Sequence, residues 1–267
     1  MDKEEYKLPI LGTLHKAIVT VADNSSVLFR ALLFPSIIMI LVSIGQKLMR
    51  QHVMALEINR LTISFYMTIT IISSSIIFGI LAAMFAVICH RIVLLGKESL
   101  PNSLGLYLSK RELKYFGWVF LFGIPIGIGY MVLPIMTPLF MQSMDDPRAI
   151  ILLLNRVWGI VGLVIVSFIT APFILVLPAT AVGEKRVFKM ARATVRGNII
   201  RLAVVLLLPA LITLLIRWAL RHFGPETSNI PYDVITGLIY LVFLVFQTVA
   251  LSVSYKSLAS DHLEKTY

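Results

Sequence analysis

Apolar residues are concentrated in six long stretches of the chain. The stretches lie near residues 27–46, 63–89, 115–140, 157–182, 199–220 and 234–254. A hydrocarbon core about 30 Å thick needs about 20 apolar residues at a helical rise of about 1.5 Å per residue. The run from Ile76 to Val87 does not alternate with polar residues, as a strand of a membrane barrel does. The pattern predicts an all-α polytopic membrane protein with about six transmembrane helices.

Shorter segments flank these stretches. We expect an amphipathic cytoplasmic segment over 1–26, a transmembrane domain over 27–254 and a cytoplasmic tail over 255–267. The chain starts MDKEEYK and has no apolar run before residue 26. A cleavable signal peptide has a basic start followed by a short apolar region. The first helix is therefore expected to remain in the membrane as an anchor.

Lys and Arg residues are distributed unevenly between the connections. With six spans, the two termini and the second and fourth connections share one side, and they carry 15 of the 24 cations. The opposite side carries six. Basic connections stay in the cytoplasm, so both termini are predicted to be cytoplasmic. The net charge of +10 then faces anionic headgroups, which explains it without a nucleic-acid partner.

Composition excludes several classes of function. None of the 14 Asp and Glu residues lies within an apolar stretch, and such carboxylates commonly carry proton or cation coupling. The five histidines are scattered without a carboxylate at metal-ligand spacing, and the single Cys89 cannot form a thiolate cluster. We therefore expect no catalytic residue, no metal site, no cofactor and no ion-coupled transport through buried carboxylates.

An offset of 174 residues aligns residues 17–38 with residues 191–212, with nine of 22 positions identical. The most informative matches are Asn24 with Asn198 and Pro35 with Pro209. Each copy consists of a short amphipathic segment, an Asn that caps or turns the chain, and a transmembrane helix that proline kinks. Two explanations stay open, a parallel duplication and the chance similarity of apolar sequences.

The most regular basic pattern of the chain is EKRVFKMARATVRGN, residues 184–198. Its cations recur at helical spacing and are Lys185, Lys189, Arg192 and Arg196, while Phe188, Ala191 and Val195 line another face. Such a helix lies in the headgroup plane with its cations at lipid phosphates. The alternative is an ordinary basic loop that obeys the orientation rule.

His90 and Arg91 follow the second apolar stretch and have two interpretations. They form a phosphate-binding pair, because both side chains donate hydrogen bonds to anions, or they are interfacial cations that extend toward water. The third stretch contains Pro134 within GIPIGIGYMVLPIMTP, residues 123–138. Its prolines and glycines indicate either close helix packing or a broken helix along a substrate path.

Several short motifs carry a family resemblance. They are Asn24, HRIVLLG from His90 to Gly96, LPATAVGE from Leu177 to Glu184, RGN from Arg196 to Asn198, and SYKSL at 254–258. With these motifs the chain resembles the six-helix membrane domain of bacterial glycerophosphoryl diester phosphodiesterases and the related YciC-like membrane proteins. In that family a separate barrel domain after the membrane part performs catalysis, whereas this chain ends about a dozen residues after its last predicted helix. The resemblance implies a multi-pass protein of the bacterial inner membrane and does not carry over the phosphodiesterase activity.

Two functions from different classes follow. We expect a non-enzymatic membrane protein whose basic cytoplasmic segments engage anionic lipid headgroups, or a membrane or cytoplasmic protein partner, in an envelope or lipid-related role. The alternative is a transporter or permease component for a lipid-like or apolar solute, built on the proline-containing helices. An intramembrane enzyme is a third class, for which the sequence offers no nucleophile or metal site.

Overall fold

Helices form almost all of the described chain. The computed structural model describes residues 7–55, 60–99, 108–124, 161–162, 164–165, 167–185, 187–223 and 230–263. We number its helices α1 (Ile10–Asp23), α2 (Ser25–Ala55), α3 (Arg60–Leu95), α4 (110–124), α5 (Val176–Val182), α6 (Val187–Val195), α7 (Ile199–Phe223) and α8 (Ile230–Leu263). One 3-10 turn covers Lys97–Ser99, and no strand occurs in these ranges. The predicted all-α class is confirmed.

Four helical segments are long and apolar enough to cross a membrane. They are Ser25–Ala55, Thr68–Leu95, Ile199–Leu220 and Val234–Ala259, and they coincide with the first, second, fifth and sixth predicted stretches. Most of the third stretch, with Pro134, and residues 157–160, 163 and 166 of the fourth lie outside the described residues. Where the fourth stretch is described, turns over 171–175 separate its helical residues 167–170 from α5.

Helix α3 extends beyond the apolar stretch that predicts it. His90 and Arg91, predicted to follow the helix, lie within it, because α3 continues to Leu95. The helix ends at Gly96, whose φ of 86° lies in the left-handed region. Hydropathy marks the part of a helix that suits lipid, whereas the helix itself ends where the backbone turns.

The long helices form two antiparallel hairpins. In the first hairpin, the Gln46 side-chain amide of α2 donates a hydrogen bond of 2.8 Å to the buried Ser74 hydroxyl of α3. In the second, the start of α7 and the end of α8 belong to one buried cluster, as Leu202 and Val253 illustrate. Helices α3 and α8 pack against each other and join the two hairpins.

A short helix precedes each hairpin, α1 before α2 and α6 before α7. The described structure therefore has the same order of elements in both copies of the predicted repeat. Four matched pairs are buried in both copies, and they are Ala17/Ala191, Leu28/Leu202, Leu32/Leu206 and Pro35/Pro209. Both proline-containing helices continue through their proline. The two copies therefore agree in the order of their elements and in the burial of these four pairs, and both a duplication and chance similarity stay open.

Buried side chains are concentrated at one end of the bundle, where α1, α5, α6 and the last turns of α3 and α8 meet. We call this end of the bundle the basic end, after the predicted row of cations that α6 carries. Its core includes Leu8, Val87, Leu175, Leu202 and Tyr255, all below 2% exposed. A second buried cluster lies between α2, α3 and α8. The basic end is thus the best-packed part of the described chain.

Three glycines in left-handed conformations stop or separate helices at the basic end. Gly96 ends α3, Gly183 ends α5, and Gly197 lies between α6 and α7, with φ values of 86°, 89° and 79°. After α5, the Gly183 and Glu184 amides donate to carbonyls of the last turn, as in a Schellman ending. Each glycine belongs to one of the motifs HRIVLLG, LPATAVGE and RGN. These motifs therefore have a shared structural role as helix ends.

Replacing Gly183 with alanine is expected to lower the free energy of unfolding by about 1 kcal/mol, because a Cβ is disfavoured at positive φ. No atom lies within 4 Å of the added Cβ, so conformation alone sets the cost. Gly45→Ala is the matched control, since Gly45 lies inside α2 with equal free space. It is expected to be neutral or stabilising. Thermal unfolding in detergent measures both, and equal losses in the two variants contradict this explanation.

Candidate functional site

Helix α6 presents the predicted row of cations to the surface of the basic end. Its buried side chains are Val187, Ala191, Thr194 and Val195, and its exposed cations, with those just before and after it, are Lys185, Lys189, Arg192 and Arg196. Of the three residues predicted to line another face, Ala191 and Val195 are buried, and Phe188 is 44% exposed. Its ring lies 5.0 Å from that of Phe173 and 5.8 Å from that of Trp118. Cations and an aromatic side chain therefore share the outer surface of α6.

Helix α1 also separates a packed face from an outer face. Thr13 and Ala17 are buried against the bundle, and α1 contacts α8 and α7. Leu11 and Ile18, seven residues apart on one face, are 78% and 57% exposed. Leucine and isoleucine so exposed on one stripe suit contact with acyl chains at a membrane interface.

The residues before α1 are held by the turn between α6 and α7. The Leu8 amide donates a buried hydrogen bond of 2.7 Å to Asn198 Oδ1. The Arg201 guanidinium donates one of 3.0 Å to the Leu8 carbonyl. Both backbone polar groups of Leu8 are thus paired, which allows its side chain to be fully buried. The segment that precedes the first copy of the predicted repeat is thus fixed to the second copy.

Asn24 has a different role from its repeat partner. Its side-chain amide donates a 2.8 Å bond to the Thr20 carbonyl of the preceding helix. Its own carbonyl accepts the Leu28 amide at 2.9 Å. Asn24 therefore turns the chain between α1 and α2, and these bonds stay within one copy, whereas Asn198 bonds across to Leu8.

His90 is fully buried and links three helices. Its Nδ1 lies 2.7 Å from Ser252 Oγ on α8, and its Nε2 lies 3.0 Å from the Tyr115 hydroxyl on α4. Because the Ser252 hydroxyl donates to the Thr248 carbonyl at 3.0 Å, it accepts from His90 Nδ1. Nε2 then accepts from Tyr115, so a neutral imidazole satisfies both ring nitrogens.

His90 and Arg91 are not brought together. Arg91 points away from the His90 network, and its guanidinium donates a 2.6 Å bond to the Ser99 carbonyl while the Ser99 hydroxyl donates to the Arg91 carbonyl at 3.3 Å. Arg91 thereby closes the turn after α3. A joint phosphate site for this pair stays a prediction, and the geometry gives it little support because both nitrogens of His90 already have partners.

Helix α4 begins with a capping box that was not predicted from the sequence. Ser109 precedes the helix, and its backbone amide and hydroxyl both donate to the buried carboxylate of Glu112. The Ser109 oxygen in turn accepts the Arg111 amide at 3.1 Å. The signal was present as Ser109-Lys110-Arg111-Glu112, the Ser-x-x-Glu spacing of a helix start. It positions Tyr115 one turn later for its bond with His90.

A cleft of about 980 Å³ lies between α2, α3, α4 and α8, away from the basic end. Its lining includes the cations Lys47 and Arg50 and the apolar Met39, Phe78 and Leu241. The sequence placed both cations in a connection, but α2 continues to carry them into the wall of the cleft. The described part of the chain offers no group of three His, Cys, Asp or Glu residues that could hold a metal ion.

The basic end combines exposed cations with exposed apolar side chains, and the cleft combines cations with an apolar wall. Comparison of the chain with protein-family models, curated proteins and solved structures gives no match. The family resemblance of its motifs therefore stays a prediction. A proposal for its function depends on the residues described above.

Proposed function

We propose that this protein is a non-enzymatic integral membrane protein whose basic end engages the headgroups of anionic lipids. The observation that carries the proposal is the outer surface of α6, where Lys189 and Arg192 are exposed while the opposite face is packed into the core. A helix held in this way keeps its cations in fixed positions. Lipid phosphates then bind them without the helix having to fold first.

Helix α1 supports the same proposal from the neighbouring surface. Its exposed Leu11 and Ile18 suit the acyl region, and its exposed Lys16 suits the headgroups. Because Leu8 is fixed to Asn198, α1 cannot leave the bundle without breaking a buried hydrogen bond. Two short helices, α1 and α6, thus form one lipid-facing surface in the proposal.

The orientation and setting belong to the same proposal. The excess of cations at the basic end supports a cytoplasmic position for this end and for both termini. Six spans, a bacterial inner membrane and membership of the YciC-like proteins agree with the cation distribution and the motifs. The same cations could instead bind a protein partner at the basic end. The following experiment distinguishes lipid binding from protein binding.

Substituting Gln for Lys185, Lys189, Arg192 and Arg196 together is expected to reduce contact between α6 and anionic lipid by at least about fivefold. Each basic residue near an anionic surface contributes about 1 kcal/mol, which is a factor of about five in binding. The full chain is reconstituted in nanodiscs that contain phosphatidylglycerol with a photoreactive headgroup. Labelling of the α6 peptide is then measured by mass spectrometry.

The control removes charge at the same end but outside α6. Lys110→Gln with Lys114→Gln, both exposed on α4, should leave labelling of α6 within about a factor of two, since all four cations of the α6 row remain in place. If a phosphatidylcholine probe labels α6 as strongly as phosphatidylglycerol does, the lipid proposal fails and a protein partner becomes the better explanation.

The second candidate function is a permease component for a lipid-like solute. The cleft between α2, α3, α4 and α8 favours it, because a transport protein needs a cavity between its spans. Flux of a fluorescent phospholipid between the leaflets of proteoliposomes tests this candidate directly. Flux equal to that of protein-free liposomes excludes it and leaves the binding function in place.

A further inference from the structure

The cleft has a polar end and an apolar end. On α2 its lining residues follow one helical face from Met39 to Gln51. Lys47, Arg50 and Gln51 lie at the far end of this row, and Met39 and Ile40 lie at the near end. The distance from Met39 to Arg50 along the helix is about 16 Å at 1.5 Å per residue. The cleft therefore matches an elongated ligand with one polar end.

The wall of the cleft that α3 forms also has a polar end and an apolar end. The bond between Gln46 and Ser74 places these residues at one level of the bundle, and Thr70, one turn before Ser74, joins the polar end. Phe78, one turn after Ser74, joins the apolar end with Ala82. Thr70 thus lies at the same end of the cleft as Lys47 and Arg50, together with Ile71.

Charge identifies the class of ligand. Among the lining residues that the structure describes, Lys47 and Arg50 are cations and none is acidic. Arg50 is exposed and lies near the mouth, and the wall residues Ser43, Ile71 and Tyr240 are exposed as well. The cleft is therefore open to the surface of the bundle, where lipid lies. An anion with a hydrocarbon chain complements both the charge and the apolar wall.

We propose that the cleft binds an anionic phospholipid, with the phosphate at Lys47 and Arg50 and an acyl chain along Met39, Phe78 and Leu241. This site is separate from the basic end. Arg50 lies 25 residues after Ser25 on the one helix α2, a distance of about 38 Å, so the two sites contact headgroups of opposite leaflets. The inference does not depend on the proposed function of α6.

Phosphatidylglycerol with a photoreactive group at the end of its acyl chain tests this site. The full chain is reconstituted in phosphatidylcholine nanodiscs with the probe, irradiated and digested. Labels are expected on the α2, α3 and α8 peptides that line the cleft. Substituting Gln for both Lys47 and Arg50 should reduce these labels at least about tenfold, and Arg50→Gln alone should reduce them by about threefold or more.

A filling variant tests the apolar end. Ala82→Phe adds a ring to the lining of the cleft at its apolar end and is expected to remove the acyl-chain labels at an unchanged level of headgroup labelling on α6. Lys189→Gln with Arg192→Gln should leave the cleft labels unchanged. These variants distinguish the cleft from the α6 surface. If one of the two proposed sites fails its test, the proposal for the other is unaffected.

The unmodified protein gives an answer that does not depend on variant folding. Unlabelled phosphatidylglycerol should compete with the probe in the cleft at concentrations at which phosphatidylcholine does not. Equal competition by the two lipids overturns the proposal, and so does labelling that stays unchanged when both cations are removed. Labels confined to the outer faces of the helices likewise show ordinary annular lipid and no bound ligand.

Discussion

Replacing His90 with alanine is expected to lower the free energy of unfolding by about 3 kcal/mol. The imidazole is completely buried and bonds Tyr115 and Ser252 on two other helices. Its removal leaves a cavity and two buried polar groups without their partner, and each of these effects costs about 1 to 3 kcal/mol. Thermal unfolding of the reconstituted protein, followed by circular dichroism, measures the loss.

Further substitutions separate the contributions of the individual hydrogen bonds to the free energy of unfolding. Tyr115→Phe removes the donor to Nε2 and keeps the ring, so about 1 kcal/mol is expected. His90→Ala and Tyr115→Phe share one interaction, and their combination should cost less than the sum of the two. His15→Ala, at an exposed site on α1, is the control and should change little. If His90→Ala costs no more than His15→Ala, the hydrogen-bond network does not stabilise the bundle.

The role of His90 could not be predicted from the sequence for a geometric reason. Its partners are 25 and 162 residues away along the chain, and neither is marked by a local motif. Hydropathy placed His90 after a helix because it is polar. In the structure two hydroxyl groups satisfy its nitrogens, which removes the cost of burial and allows the helix to continue.

The helices themselves were largely predictable. Long apolar runs exclude other backbone structures in lipid, so four spans could be located from composition alone. The order of short helix, Asn and proline-containing helix was also visible from the match between the two copies. In contrast, the cleft combines residues from α2, α3, α4 and α8, and no single helix carries its pattern. In the sequence, Lys47 and Arg50 indicate only that positive charge lies near the end of a span.

The second large effect is expected at the turn between α6 and α7. Replacing Asn198 with alanine should cost about 2 kcal/mol, because the buried Leu8 amide loses its acceptor. The Arg201 bond to the Leu8 carbonyl remains, but it cannot pair the amide. The residues before α1 should therefore open more often. Faster hydrogen exchange over residues 8–23, together with a lower unfolding temperature, measures this change.

Asn24 provides a matched control at the equivalent position of the other copy. It bonds the neighbouring turn at Thr20, so Asn24→Ala should cost about 1 kcal/mol or less and should leave exchange at Leu8 unchanged. Asn198→Asp keeps an acceptor near Arg201 and should retain more of the protection than alanine does. Equal effects of the two alanine variants contradict the long-range role of Asn198. A selective effect of Asn198 shows instead that the bond between Leu8 and Asn198 holds α1 on the bundle, as the proposed lipid-facing surface of the basic end requires.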